Sequence, residues 1–195
     1  MTVLIATDVF GITPAVHSLV RSLGRNCVLV SPFDDANSRY QSEQLAYQAF
    51  LAGGGVARYA ARIQSVMAKG AADIRFAIGF SAGASALWLA STTPGFSRLH
   101  MLTLFYGSRI RDYANLMPLC PARLVFAERE PAFEPAALAA ELAAKGRSVE
   151  LAKNTSHGFM NPYSGGFCVK SQARYTAELA EMLQDAEVEH SAELA

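Results

Sequence analysis

The chain has 195 residues, of which 51% are apolar and 17% charged, and its 17 basic and 17 acidic side chains give a formal net charge of zero. That much apolar material excludes intrinsic disorder, which needs low hydrophobicity and high net charge, and the length suits one domain over 1–195. Balanced charge with no basic run argues against a nucleic-acid binder, and three cysteines with no C-x-x-C spacing argue against a disulfide scaffold.

No apolar stretch approaches the ~20 residues of a membrane span. The opening residues Met1 to Asp8 lack a basic region and meet an acid at Asp8, so they read as a strand rather than a signal peptide. A cytoplasmic protein is expected.

In chain order, a β-branched run predicts a strand near Val3–Thr7. Thr13-Pro14 then starts a helix, with a hydroxyl cap followed by proline at the first helical position, and this helix runs to about Gly24. A strand near Cys27–Val30 follows. A helical pattern over about Ser42–Ala52 stops at Gly53-Gly54-Gly55, and another over about Val56–Lys69 stops at Gly70. The triple glycine reads as a helix break, because no strand leads into it and no Lys-Ser/Thr follows, as a phosphate loop requires.

The second half continues the alternation. Strands are predicted near Ile74–Gly79, Met101–Phe105, Arg123–Phe126 and Ser148–Ala152, and helices over about Ala82–Ala90, Pro135–Lys145 and Gln172–Gln184. Residues from about Ala186 read as a polar, frayed tail. Strands apolar on both faces, separated by helices, predict a three-layer α/β fold with a mainly parallel sheet and right-handed crossovers. The sheet order inferred is 2-1-3-4-5-6.

The third strand runs into Gly79-Phe80-Ser81-Ala82-Gly83, and an apolar helix follows. This is G-x-S-x-G in its strand–turn–helix context. The turn is tight enough to need the glycines, and it lifts the Ser81 hydroxyl above the sheet edge. The Ala82 N–H then lies at a helix N-terminus, where it can donate to an anion. In the inferred order, the first and third strands are neighbours, so the crevice at their carboxyl ends is the topological switch point. The loop Thr7-Asp8-Val9-Phe10-Gly11 can therefore bring the Val9 N–H alongside that of Ala82, as the two halves of an oxyanion hole.

A serine nucleophile needs a base. His17 falls inside the first predicted helix, His100 at the predicted N-terminal edge of the sheet, and His190 in the polar tail. Only His157 follows a strand on the side where the serine points, and it occupies the last place in the Ser…acid…His chain order. The orienting carboxylate should follow the strand Arg123–Phe126. Glu128 and Glu130 both sit there, in Ala127-Glu128-Arg129-Glu130-Pro131, and the two are expected to face opposite ways. Cys27, Cys120 and Cys168 read as small core or loop residues, since none stands at an elbow.

On these residues the chain resembles the dienelactone hydrolase family of the α/β-hydrolase fold. The matching pieces are Thr7-Asp8-Val9-Phe10-Gly11, Gly79-Phe80-Ser81-Ala82-Gly83, Phe105-Tyr106-Gly107 and His157-Gly158-Phe159. The resemblance implies Glu130 as the triad acid, at the end of a G-x-x-D-like stretch, with Phe10, Tyr106 and Phe159 lining a small substrate pocket. The chain departs from the family by carrying Ser81 in place of cysteine, Glu130 in place of aspartate, and Asp8 in place of a glutamate beside the nucleophile. Asp8 can contact the site or serve local loop hydrogen bonding. The sequence begins directly at the family's central strand pair, without its leading antiparallel strands, so a minimal six-stranded sheet is expected.

The implied activity is hydrolysis of a small ester, lactone or thioester, with no metal or organic cofactor, no nucleic-acid or membrane partner, and the oligomeric state open. Family members that take anionic dienelactone hold its carboxylate with two arginines. Here Asn161 stands four residues beyond His157, and the other region carries Glu43, with Arg39 out of register and Arg109 elsewhere. Neutral substrates are therefore expected. A non-catalytic binding protein on the same fold is the alternative. A flavodoxin-like carrier shares the strand order but would need hydroxyls and open N–H groups where Asp8-Val9-Phe10-Gly11 offers an acid.

Overall fold

The computed structural model describes residues 1–35, 40, 42–69 and 73–193, with only the backbone described from 189 onward. Strands and helices alternate as β1 (Thr2–Ala6), α1 (Pro14–Leu23), β2 (Asn26–Val30), α2 (Glu43–Ala52), α3 (Gly55–Ala68), β3 (Ile74–Phe80), α4 (Ala82–Ala90), β4 (Met101–Phe105), β5 (Ala122–Arg129), α5 (Pro135–Ala144), β6 (Ser148–Ser156) and α6 (Val169–Glu193). The six strands form one parallel sheet in the order β2-β1-β3-β4-β5-β6. That is the order read from the sequence.

The continuous apolar runs have a direct cause. Alternate side chains feed two cores, one on each face of the sheet. Leu4, Ala6, Ala77, Leu102, Leu104 and Leu124 pack with α2 to α5. Val3, Ile5, Phe76, Ile78, Phe105 and Val125 pack with α1 and α6. Thr13 caps α1 by accepting from the Val16 N–H at 3.4 Å, with Pro14 at the first position. Ser42 caps α2 through the Leu45 N–H at 3.2 Å.

Three boundaries differ from the sequence reading. Strands β5 and β6 outrun their apolar stretches, because they keep pairing through a register shift as far as Arg129 and Ser156. The last helix does not end near Gln184 but continues to Glu193. The stretch from Asp185 carries good helix formers and no Gly or Pro to stop it, and Glu187 pairs with Arg25 at 2.7 Å. Short 3-10 segments at Pro94–Phe96 and Ser108–Tyr113 lacked a periodic signal. Gly70, the expected end of the third helix, and Arg39 lie outside the described residues. No helix among the described residues is long and apolar enough to cross a membrane.

Candidate active site

Ser81 joins β3 to α4 with φ 50° and ψ −110°, in a region of backbone space that non-glycine residues rarely enter. The chain turns there because β3 and α4 come into near contact. A Cβ on Gly79 would stand 2.7 Å from the Ala84 Cα, and one on Gly83 would strike the carbonyl oxygens of Ala6 and Thr7. The Ser81 N–H donates to the Phe105 carbonyl at 2.9 Å, which ties the elbow to the end of β4. Strain of this kind persists only where the surroundings over-determine it.

Ser81 Oγ lies 2.8 Å from His157 Nε2. On the other side of the ring, His157 Nδ1 lies 2.8 and 2.9 Å from the two carboxylate oxygens of Glu130. The Glu130 side chain is 2% exposed and that of His157 is 21% exposed. Glu128 faces the other way. It is largely exposed, accepts the Asn154 N–H at 2.9 Å, and pairs loosely with Arg129. Burial opposes the imidazolium of His157, but the hydrogen bond and charge of Glu130, with the charges of Glu43 and Asp8, outweigh it and raise the ring above its ordinary pKa.

The first-strand loop closes over the elbow. The Val9 and Ala82 backbones are buried, and among the described residues neither N–H has an acceptor within the protein. Asp8 fixes this loop: its Oδ1 accepts the Phe10 N–H at 2.9 Å, and its Oδ2 accepts from Asn161 Nδ2. Asn161 belongs to the loop after His157 and is held by the Gly158 carbonyl at 2.8 Å and the Tyr163 N–H at 2.9 Å. One buried carboxylate thus ties the loop beside the elbow to the histidine loop. Tyr59 adds an anchor that the sequence did not reveal. Its hydroxyl, on α3, lies 2.6 Å from the Val30 carbonyl and 3.1 Å from that of Thr7.

The pocket expectation is corrected in part. Phe159 is fully buried, packed against Phe105, Tyr106 and Tyr175, so it is a core residue and lines no opening. Phe10 is partly exposed and meets Tyr163, while Tyr106 lies edge-on to His157 with 5.3 Å between ring centroids. Glu43, Glu130, Pro131, His157 and Ser164 line an open groove beside the triad. Arg109 is engaged with Asp112 at 2.9 Å. His17 is exposed on α1, and His100 packs on Phe76 at the opposite end of the sheet. The side chain of His190 lies outside the described residues. Cys27, Cys120 and Cys168 are free thiols.

Burial pushes the Asp8 carboxyl up to about 6, opposed by its bonds from Asn161 and the Phe10 N–H, with the Glu43 charge adding to the rise and the His157 charge opposing it. A carboxyl with a raised folded pKa binds its proton more tightly in the folded state. Its contribution to stability is therefore full below the unfolded pKa, near 4, and is lost as pH rises through about 6. The loss amounts to roughly 3 kcal/mol for a shift of this size. Urea unfolding from pH 4 to 7 should show wild type losing about this much relative to Asp8→Asn. A difference independent of pH would contradict it.

No protein-family model matches the chain. It is 32% identical over 173 residues to the uncharacterized protein YczH of Bacillus subtilis, covering 83% of this chain and 82% of that one. Among solved structures, a Klebsiella pneumoniae protein assigned as a dienelactone hydrolase superposes with a TM-score of 0.66 at 16% identity, covering 92% of this chain and 86% of the other. A dienelactone hydrolase-like promiscuous phosphotriesterase from metagenomic libraries also superposes with a TM-score of 0.66 at 16% identity, covering 94% and 85%. The fold is that of the α/β hydrolases.

Proposed function

This chain belongs to the family of the Bacillus subtilis protein YczH, and we propose that it is a serine hydrolase of the dienelactone hydrolase type, cleaving a small ester, lactone or thioester. The observation that carries this reading is the unbroken line of hydrogen bonds from Ser81 through His157 to Glu130, 2.8 Å at each step. It begins at a strained elbow beside two N–H groups that have no acceptor of their own among the described residues.

The steps follow from that geometry. Ser81 Oγ attacks the carbonyl carbon while His157 Nε2 takes its proton. Glu130 holds the Nδ1–H tautomer and stabilises the imidazolium. The Val9 and Ala82 N–H groups receive the oxyanion, each worth ~3 kcal/mol by analogy with other oxyanion holes. The tetrahedral intermediate collapses, and His157 returns the proton to the departing alkoxide or thiolate. Water, activated by the same imidazole, then hydrolyses the acyl-enzyme and restores the Ser81 hydroxyl. The raised His157 pKa places the acid limb of kcat/KM above the usual histidine range, since only the neutral ring can accept the proton.

Labelling with a fluorophosphonate and mapping the modified peptide tests this reading. Modification at Ser81 alone is expected. An unreactive Ser81 in folded protein would favour a binding protein on the same fold. The carboxylates of Asp8 and Glu43 near the triad also set substrate charge. Neutral aryl acetates should exceed anionic dienelactone in kcat/KM by about tenfold or more, since Arg129, the guanidinium lining the groove, is paired with Glu128 at 3.5 Å and shares the groove with Glu43 and Glu130. A tenfold preference for the anion would show that a cation elsewhere serves the site.

A further inference from the structure

A second space opens on the α1–α6 side of the sheet, a cavity of about 160 Å³. Its walls include Val16 and Leu19 of α1, Phe80, Tyr106, Met160 and Thr176 of α6. An apolar cavity of ~150 Å³ is large enough to hold benzene.

Three observations point to an occupant. The walls are chain neighbours of the proposed machinery: Phe80 precedes Ser81, Asp8 precedes Val9, and the Tyr106 ring lies edge-on to His157. Two hydroxyls on the wall, Tyr106 Oη and Thr176 Oγ1, are buried with no hydrogen-bond partner among the described residues. The Met160 backbone N–H faces Tyr106 Oη, which leaves the hydroxyl's own proton without an acceptor among the described residues. Tyr106 is 1% exposed, and leaving such a donor unpaired costs ~1–3 kcal/mol. Finally, Tyr106 is held at φ 40°, a left-handed conformation strained for a bulky residue.

We propose, resting on the serine hydrolase reading, that this cavity is the acyl subsite and takes a neutral acyl group of up to about benzene size that carries a hydrogen-bond acceptor for the Tyr106 hydroxyl. The assignment to the acyl side follows from the two spaces. His157, which returns the proton to the leaving group, lines the open groove and not the cavity. The groove is therefore on the leaving-group side. Neutrality follows from Asp8 on the cavity wall, where an anionic acyl group would meet a buried carboxylate.

The test uses p-nitrophenyl esters, so that the leaving group is constant. Wild type should prefer pentanoate to decanoate, and 4-oxopentanoate to pentanoate, by about tenfold each in kcat/KM, which corresponds to one unpaired donor being satisfied in the second case. Tyr106→Phe should abolish the second preference. Val16→Phe, which narrows the cavity, should lower the ratio of pentanoate to acetate by tenfold or more. If Val16→Phe does not fold, the near-isosteric Tyr106→Phe still decides. Intact turnover with a flat dependence on acyl length, or an oxo preference that survives in Tyr106→Phe, overturns the subsite and leaves the hydrolase reading standing. No turnover on any ester, together with no labelling of Ser81, overturns both.

Discussion

Ser81→Ala should lower kcat by ~10⁴-fold or more, in line with the loss of a triad nucleophile elsewhere, while leaving the unfolding transition unchanged. The structural reason for the second half is as important as the first. The Ser81 hydroxyl makes one described hydrogen bond, to His157, and the elbow is held by backbone contacts that alanine preserves: the Ser81 N–H to Phe105 and the close approaches of Gly79 and Gly83. Alanine at φ 50° is strained to the same degree as serine. A kcat on an aryl ester and a thermal melt on the same preparation separate chemistry from folding. Turnover comparable to wild type would remove Ser81 from the mechanism.

The sheet was legible because its strands are buried on both faces. A strand such as β1, with Val3 and Ile5 feeding one core and Leu4 and Ala6 the other, cannot alternate polar and apolar. Ser81 stood out because a G-x-S-x-G between such a strand and an apolar helix has a steric requirement that Gly79 and Gly83 meet. His157 emerged by elimination. What remained hidden depends on partners distant in the chain. The resemblance places Phe159 in a pocket, yet the residue is packed against Phe105, Tyr106 and, from α6, Tyr175. Tyr59 falls within the predicted third helix, but nothing local reveals that its hydroxyl reaches the ends of β1 and β2. The Asp8–Asn161 bond spans 153 residues and is invisible to any local pattern. The continuation of α6 past Gln184 gives no apolar period to follow, and only the lack of a helix-stopping residue marks it.

The two glutamates after β5 should separate sharply. Alternation along a strand sends neighbouring odd and even side chains to opposite faces, and so would put Glu128 and Glu130 on the same face. The β5–β6 register shift between Ala127 and Arg129 breaks that rule. It turns Glu128 outward, where its carboxylate accepts from Asn154, and leaves Glu130 buried against His157 Nδ1. Glu130→Gln keeps the size of the side chain but can present an amide N–H to Nδ1, which favours the tautomer with its proton on Nε2. That ring cannot take the Ser81 proton. The expected loss in kcat is ~10²–10⁴-fold, by analogy with an amide in place of the triad acid. Glu128→Gln retains an acceptor for the Asn154 N–H and lies at the surface, so kcat should change less than about threefold and stability by less than ~0.5 kcal/mol. Both variants are read by kcat against pH. In Glu130→Gln the acid limb should also move to lower pH, because the hydrogen bond and charge that hold the His157 pKa up are gone. A large loss in Glu128→Gln with a mild one in Glu130→Gln would mean that the acid reaches His157 from the other carboxylate, two residues earlier in the strand.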